Sequence, residues 1–128
     1  MGERLPSSYV CFGAQVSRKS LNESKFYQIY KTARFYGESR PTKNMSKENL
    51  KFLSSKQALK DTANFISRMS EIYHIKHWIV FGCSYSGTLA AWMRLKYPHL
   101  VLGAISSSGP LYAKLNFPEY FQVIMYKI

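Results

Sequence analysis

The residues best suited by type and spacing to do chemistry are Gly82-Cys83-Ser84-Tyr85-Ser86-Gly87. Four apolar residues, Trp78 to Phe81, lead into them, and a helix-like segment from Thr88 to Tyr97 follows, closed by Pro98. Strand, small-residue turn and helix, in that order, are the setting in which a G-x-S-x-G pattern acts as a nucleophile elbow. A sharp turn pushes the Ser84 hydroxyl clear of the backbone. It also tolerates only small neighbours, here Gly82, Ser86 and Gly87. The helix that starts after the serine aims free N–H groups at the same point, which favours an oxyanion. The pattern is not strict, because Ser86 stands where its last glycine belongs. The competing account is a serine that only caps a helix. Cys83, inside the turn, reads as a packing residue rather than the nucleophile, since position 84 is the one that fits.

The elements around this stretch follow from periodicity and punctuation. Residues 1–24 are rich in serine, glycine and charge without clear period, and read as a poorly ordered amino-terminal segment ahead of a domain over 25–128. A strand is expected within Phe26–Phe35. Gly37 and Pro41 mark a loop that runs to about Leu53. Ser54 then opens a helix, with Gln57 three residues on as a capping-box partner. Leu59, Thr62, Phe65, Ile66, Met69, Ile72 and Tyr73 recur at helical spacing as its core face. After the elbow helix, Val101–Ile105 reads as a second buried strand and Ser106–Pro110 as a loop. Pro118 starts a last helix carrying Tyr120, Phe121, Ile124 and Met125. Helices alternating with short apolar strands point to an α/β fold with a parallel sheet covered on both faces.

Composition bounds the reading further. A chain of 128 residues is at most one domain, and 46% hydrophobic residues are enough for a globular core. The balance is basic, with 18 Lys and Arg against 7 Asp and Glu. A net charge of +11 raises the question of a nucleic-acid partner. The basic residues are scattered, however, with no arginine-rich run and no nucleic-acid module, so no such partner is expected. No apolar run approaches transmembrane length, so no membrane partner is expected either. The start, Met1 to Pro6, has neither a signal-peptide nor a myristoylation pattern. Cys11 and Cys83 offer no disulfide framework and no metal-ligand spacing, and nothing calls for a cofactor. Asn22-Glu23-Ser24 and Asn44-Met45-Ser46 are glycosylation sequons that hint at a secretory history.

Five stretches in order also resemble a known family. Arg34-Phe35-Tyr36-Gly37-Glu38-Ser39 is similar to its H-R-[FY]-Y-G-x-S motif. The run from Leu50 to Asp61 is similar to L-[KR]-[FY]-L-[ST]-x-x-Q-A-L-x-D, and the run from Phe81 to Trp92 to F-G-G-S-Y-[SGA]-G-x-L-[AS]-A-W. Lys96-Tyr97-Pro98-His99 and Ala104 to Pro110 resemble K-[YF]-P-H and A-x-x-S-S-[AG]-P. These are motifs of the serine carboxypeptidases that include lysosomal Pro-Xaa carboxypeptidase, dipeptidyl peptidase II and thymus-specific serine protease. The resemblance implies an α/β-hydrolase fold with an inserted helical domain, a secreted or lysosomal location, and cleavage of short peptides next to proline. It implies Ser84 as the nucleophile and the backbone N–H of Tyr85 as part of the oxyanion hole. Thr32-Ala33 stand where the family has Glu-His, and Cys83 stands where it has glycine.

A hydrolase serine needs a base within hydrogen-bond reach and a group to orient that base. The histidines are His74, His77 and His99. His99 lies beyond the elbow helix, roughly 20 Å along its axis from Ser84. His74 and His77 precede the strand, at the end away from the elbow. Asp61, the single aspartate, falls on the preceding helix. All read as surface or helix-end residues. The family places its triad Asp and His far downstream, so the chain is expected to be an elbow-bearing fragment with an incomplete sheet. The functional expectation is a serine-type exopeptidase, of carboxypeptidase or dipeptidyl-peptidase type, acting on a proline-containing peptide. The alternative is a catalytically inactive fragment or peptide-binding pseudoenzyme. The oligomeric state stays open.

Overall fold

The structure of the chain, a computed structural model, describes residues 12–20 and 23–125. The described residues form a four-stranded sheet and three α-helices. The strands are β1 (Phe12–Ser20), β2 (Glu23–Lys31), β3 (Ile79–Cys83) and β4 (Gly103–Ser107), in spatial order β2-β1-β3-β4. The helices are α1 (Ser55–Tyr73), α2 (Tyr85–Lys96) and α3 (Glu119–Met125). β3 and β4 are parallel, with Ile79 opposite Gly103 and Cys83 opposite Ser107. The connection between them is α2, as a parallel pair requires. The expected α/β class with parallel strands and an open, incomplete sheet is therefore what the chain forms.

Two features differ from the sequence reading. Phe12–Ser20, expected to be poorly ordered, is a strand that pairs antiparallel with β2 and, through Gly13, Ala14 and Gln15, with β3. Of the rest of the segment 1–24, residues 1–11, 21 and 22 lie outside the described residues, and Glu23 and Ser24 begin β2. The sheet is thus mixed. A hairpin needs only a short turn, and its strands carry little period-2 alternation to announce them. The second difference is coverage. The core comprises Leu59, Ala63 and Ile66 of α1, Ile75, Trp78, Val80 of β3, Leu89, Ala90 and Met93 of α2, and Val101. Val80 and its register partner Ala104 face both helices, whereas Ile105, on the opposite face, is 52% exposed. The described helices therefore cover one face of the sheet, not both.

α1 begins with the expected serine cap, while the Gln57 side chain, expected to complete a capping box, donates to Asp61. The Ser54 hydroxyl accepts the backbone N–H of Gln57 at 3.2 Å, so one of the orphan N–H groups of the first turn is satisfied. Of the expected apolar stripe, Leu59, Thr62 and Ile66 are buried, joined by Ala63, while Ile72 and Tyr73 at the far end are exposed. His74 ends the helix in the left-handed conformation. Trp78 anchors the next turn: its ring is buried and its indole N–H donates to the Ser70 hydroxyl at 2.7 Å. Pro118 stands immediately before α3, as expected, and its carbonyl accepts the N–H groups of Phe121 and Gln122. Phe121 and Met125 of α3 are exposed.

Candidate active site

Ser84 sits between the last residue of β3 and the first of α2 at φ 56°, ψ −129°. A non-glycine residue there is held against a steric cost of about 1–3 kcal/mol, and the surrounding structure must impose it. It does so from both sides. The Ser84 N–H donates to the carbonyl of Ser107, at the end of β4, at 2.9 Å. The Ser84 carbonyl accepts from the N–H groups of Gly87 at 2.8 Å and Thr88 at 3.2 Å. The backbone is clamped, yet the side chain makes no capping hydrogen bond and the residue is exposed. The serine therefore does not act as a helix cap.

The glycines of the turn are fixed by space. A Cβ on Gly82 would lie 2.0 Å from the Ser86 carbonyl oxygen, and one on Gly87 would lie 2.9 Å from that of Ser107. Gly109 meets the same wall from the other side, where a Cβ would lie 2.8 Å from the Thr88 nitrogen. The Thr88 hydroxyl donates to the Pro110 carbonyl at 3.1 Å. The loop after β4 is thus a buttress that holds the elbow closed. Ser106 and Ser107, expected to open this loop, instead end β4, so the loop is shorter than the sequence suggests and its buttressing role is not legible there. Ser86, in the place of the last glycine of the strict pattern, is buried. Cys83, expected to pack, is exposed instead, because it ends β3 where the sheet meets solvent. Cys11 lies outside the described residues, as does Asn22 of the first sequon. Asn44 is described: its side-chain oxygen accepts from the Ser46 N–H and the Asn49 amide.

Tyr85 is the first residue of α2, so its N–H belongs to the group that has no partner inside the helix. The first turn of α2 holds no acidic side chain, and its last turn holds Arg94 and Lys96. The positive pole of the helix is left open toward Ser84 while the negative pole is matched. The Tyr85 hydroxyl hydrogen-bonds to that of Ser55 at 2.7 Å, which ties the elbow to the start of α1.

Asp61 has a different role from the surface position expected of it. Its carboxylate accepts from Nε of Arg34, from Nη2 of Arg34 at 2.7 Å and from the Gln57 amide at 2.9 Å. Burial pushes this carboxyl up. Hydrogen bonds from Arg34 and Gln57 and the charges of Arg34 and Lys31 outweigh that, and it titrates below the ordinary carboxylate range. Burial likewise pushes the Lys31 ammonium down, against the charge of Asp61. The fork of Arg34 docks the loop Arg34–Pro41 onto α1, and Phe35 behind it is buried at φ 69°. Gln57 and Asp61, one turn apart, share the helix face that makes this dock, a signal present in the sequence but not read.

No base completes the site among the described residues. His74, His77 and His99 are exposed, and none hydrogen-bonds to Ser84. The ring of His99 rests against Tyr97, centroids 6.2 Å apart. Among the described residues no group of three His, Cys, Asp or Glu could hold a metal ion, and no helix is long and apolar enough to cross a membrane.

Comparison with known proteins matches residues 28–128 to the family described as serine carboxypeptidase S28. A Caenorhabditis elegans protein named as a serine protease is 50% identical over 99 residues, 74% of this chain and 19% of its own. Thymus-specific serine protease of Homo sapiens is 45% identical over 94 residues, 71% of this chain and 18% of its own. Lysosomal Pro-X carboxypeptidase of Bos taurus is 42% identical over 96 residues, 70% of this chain and 19% of its own. The chain spans about a fifth of the length of these relatives.

Proposed function

Because the chain belongs to the serine carboxypeptidase S28 family, we propose that it carries the nucleophile of a serine exopeptidase that cleaves short peptides next to proline. The observation that carries this reading is the backbone of Ser84, clamped at positive φ with its hydroxyl committed to no capping bond. A serine kept only to start a helix would adopt an extended backbone and bond to the first turn. The name of lysosomal Pro-X carboxypeptidase, a relative, supports the proline preference.

In this reading the Ser84 hydroxyl oxygen attacks the scissile carbonyl carbon and loses its proton to a histidine. The carbonyl oxygen becomes an oxyanion held by the Tyr85 N–H at the open pole of α2. The C–N bond then breaks, and the amine leaves with that proton. Water, activated by the same histidine, hydrolyses the acyl-enzyme. The histidine and its orienting aspartate lie outside residues 1–128. The side from which the peptide is trimmed, carboxypeptidase or dipeptidyl-peptidase, is set by groups beyond this stretch. A secreted or lysosomal location, with glycosylation at Asn44, belongs to the same reading.

A second reading has one observation in its favour: no described histidine reaches Ser84. The chain would then bind a proline-containing peptide without cleaving it. Treatment with a fluorophosphonate probe, followed by peptide mapping, separates the two. The peptidase reading expects an adduct on Ser84, in this chain or in a longer native product, and its loss in Ser84→Ala. Cleavage of a proline-flanked peptide that survives Ser84→Ala in the longer product would remove Ser84 from the chemistry. A folded, unlabelled chain that binds such a peptide would favour the second reading.

A further inference from the structure

A pocket of about 280 Å³ opens beside the elbow. Its apolar walls are Ala33, just before the docked loop, Tyr36 within it, Leu53, just before α1, Ala58 of α1, and Tyr85 and Leu89 of α2. We propose that this pocket is a subsite for one neutral, apolar side chain of the peptide, of leucine, methionine or phenylalanine size. The proposal rests on the reading of Ser84 as the nucleophile.

Placement is the first argument. Tyr85 belongs to both places: its N–H follows Ser84 in the turn, and its ring forms a wall of the pocket. Consecutive Cα atoms are about 3.8 Å apart, so a peptide whose carbonyl lies on Ser84 has a neighbouring side chain within reach of this opening. Size is the second. A cavity of about 150 Å³ holds a benzene ring, so this pocket has room for one large side chain.

The third argument is chemical. No charged side chain lines the pocket. The two polar side chains besides the tyrosines, Ser54 and Ser55, are already engaged: the Ser54 hydroxyl accepts from Gln57 and the Ser55 hydroxyl pairs with Tyr85. A lysine ammonium or glutamate carboxylate entering here would give up water and meet no opposite charge, which disfavours it. The walls are also held in place before any ligand arrives. The Ser55–Tyr85 bond pins the ring, and the Arg34–Asp61 fork fixes the position of Ala33, next to Arg34, against the helix turn that carries Ala58. Pre-set walls reduce the ordering cost of binding.

Labelling of Ser84 by aryl phosphonate analogues of phenylalanine, glycine and lysine tests the subsite. The phenylalanine analogue is expected to react about 10-fold or more faster than the other two, the discrimination an apolar pocket typically gives. In Ala58→Leu, which narrows the pocket, that ratio is expected to fall to near one. Equal rates for the three probes, or a ratio that survives Ala58→Leu, would overturn the subsite and leave the nucleophile reading intact. If no phosphonate labels Ser84, the pocket is decided by binding of acetyl-phenylalaninamide. Shifts of the Ala33, Ala58 and Leu89 methyl signals in an NMR titration would uphold an apolar subsite, and unshifted methyls would overturn it.

Discussion

Ser54 enters α1 with an extended backbone, φ −144° and ψ 154°, and its hydroxyl accepts the Gln57 N–H. Ser84 enters α2 at φ 56° and ψ −129°, with no bond from its hydroxyl to the first turn. The same residue type at the start of two helices is thus spent in one place on the helix and kept free in the other. The difference lies in what each backbone is tied to. Ser54 answers only to the helix that follows it. Ser84 is held by that helix and by β4, through the Ser107 carbonyl, and glycines at 82, 87 and 109 let the three segments approach. A hydroxyl is freed from capping by long-range packing, not by its identity.

The largest way to break this contrast is Gly82→Ala. The added methyl would lie 2.0 Å from backbone, which no rotamer can relieve. The elbow is expected to open at a cost of more than about 3 kcal/mol, seen as a large drop in the urea midpoint. An equally stable variant would show that the turn is not closed as described.

Asp61→Asn is expected to cost about 1–3 kcal/mol, because it weakens the hydrogen bonds from Arg34 and Gln57 that dock the loop on α1. This tie has a pH signature. The folded carboxyl titrates below its unfolded value, so its stabilisation is complete above the ordinary carboxylate range. It is lost as pH falls from about 5 through the lower folded value. Urea midpoints measured from pH 6 down to pH 3 should decline in the native chain and decline less in Asp61→Asn.

Ser84→Gly sharpens the contrast directly. Glycine accepts positive φ, so stability is expected to rise by about 1 kcal/mol while probe labelling disappears. A fall in stability would mean that the hydroxyl does structural work after all. The smallest effect is at the other helix start. Ser54→Ala is expected to cost about 1 kcal/mol, and Ser54→Gly only a few tenths, the order found for true caps.

The elements next to the elbow were the most legible. Trp78–Gly87 announced strand, turn and helix because the constraint is local: a tight turn admits only small side chains whatever the rest of the chain does. Ser54 and Gln57 announced α1 for the same reason, since a cap acts within one turn. β4 was legible two residues early, at Val101, because burial and strand pairing were read as one signal. The hairpin β1–β2 was half missed, as its strands lack alternation. The site was legible at Ser84 and silent at Asp61, whose isolated position on a helix suggested solvent.

By itself the amino-acid sequence determined the short-range matters: where helices start, which turn must be built of glycine and serine, and which face of α1 is apolar. Sterics and hydrogen bonds between near neighbours decide these. Only the tertiary structure decided that Arg34 meets Asp61, 27 residues away, that Ser107 clamps the Ser84 backbone, and that Ala33, Ala58 and Tyr85 enclose one pocket. Such pairings depend on how strands and helices dock. Docking follows from the burial of whole faces, which is non-directional and leaves no residue-by-residue mark in the sequence.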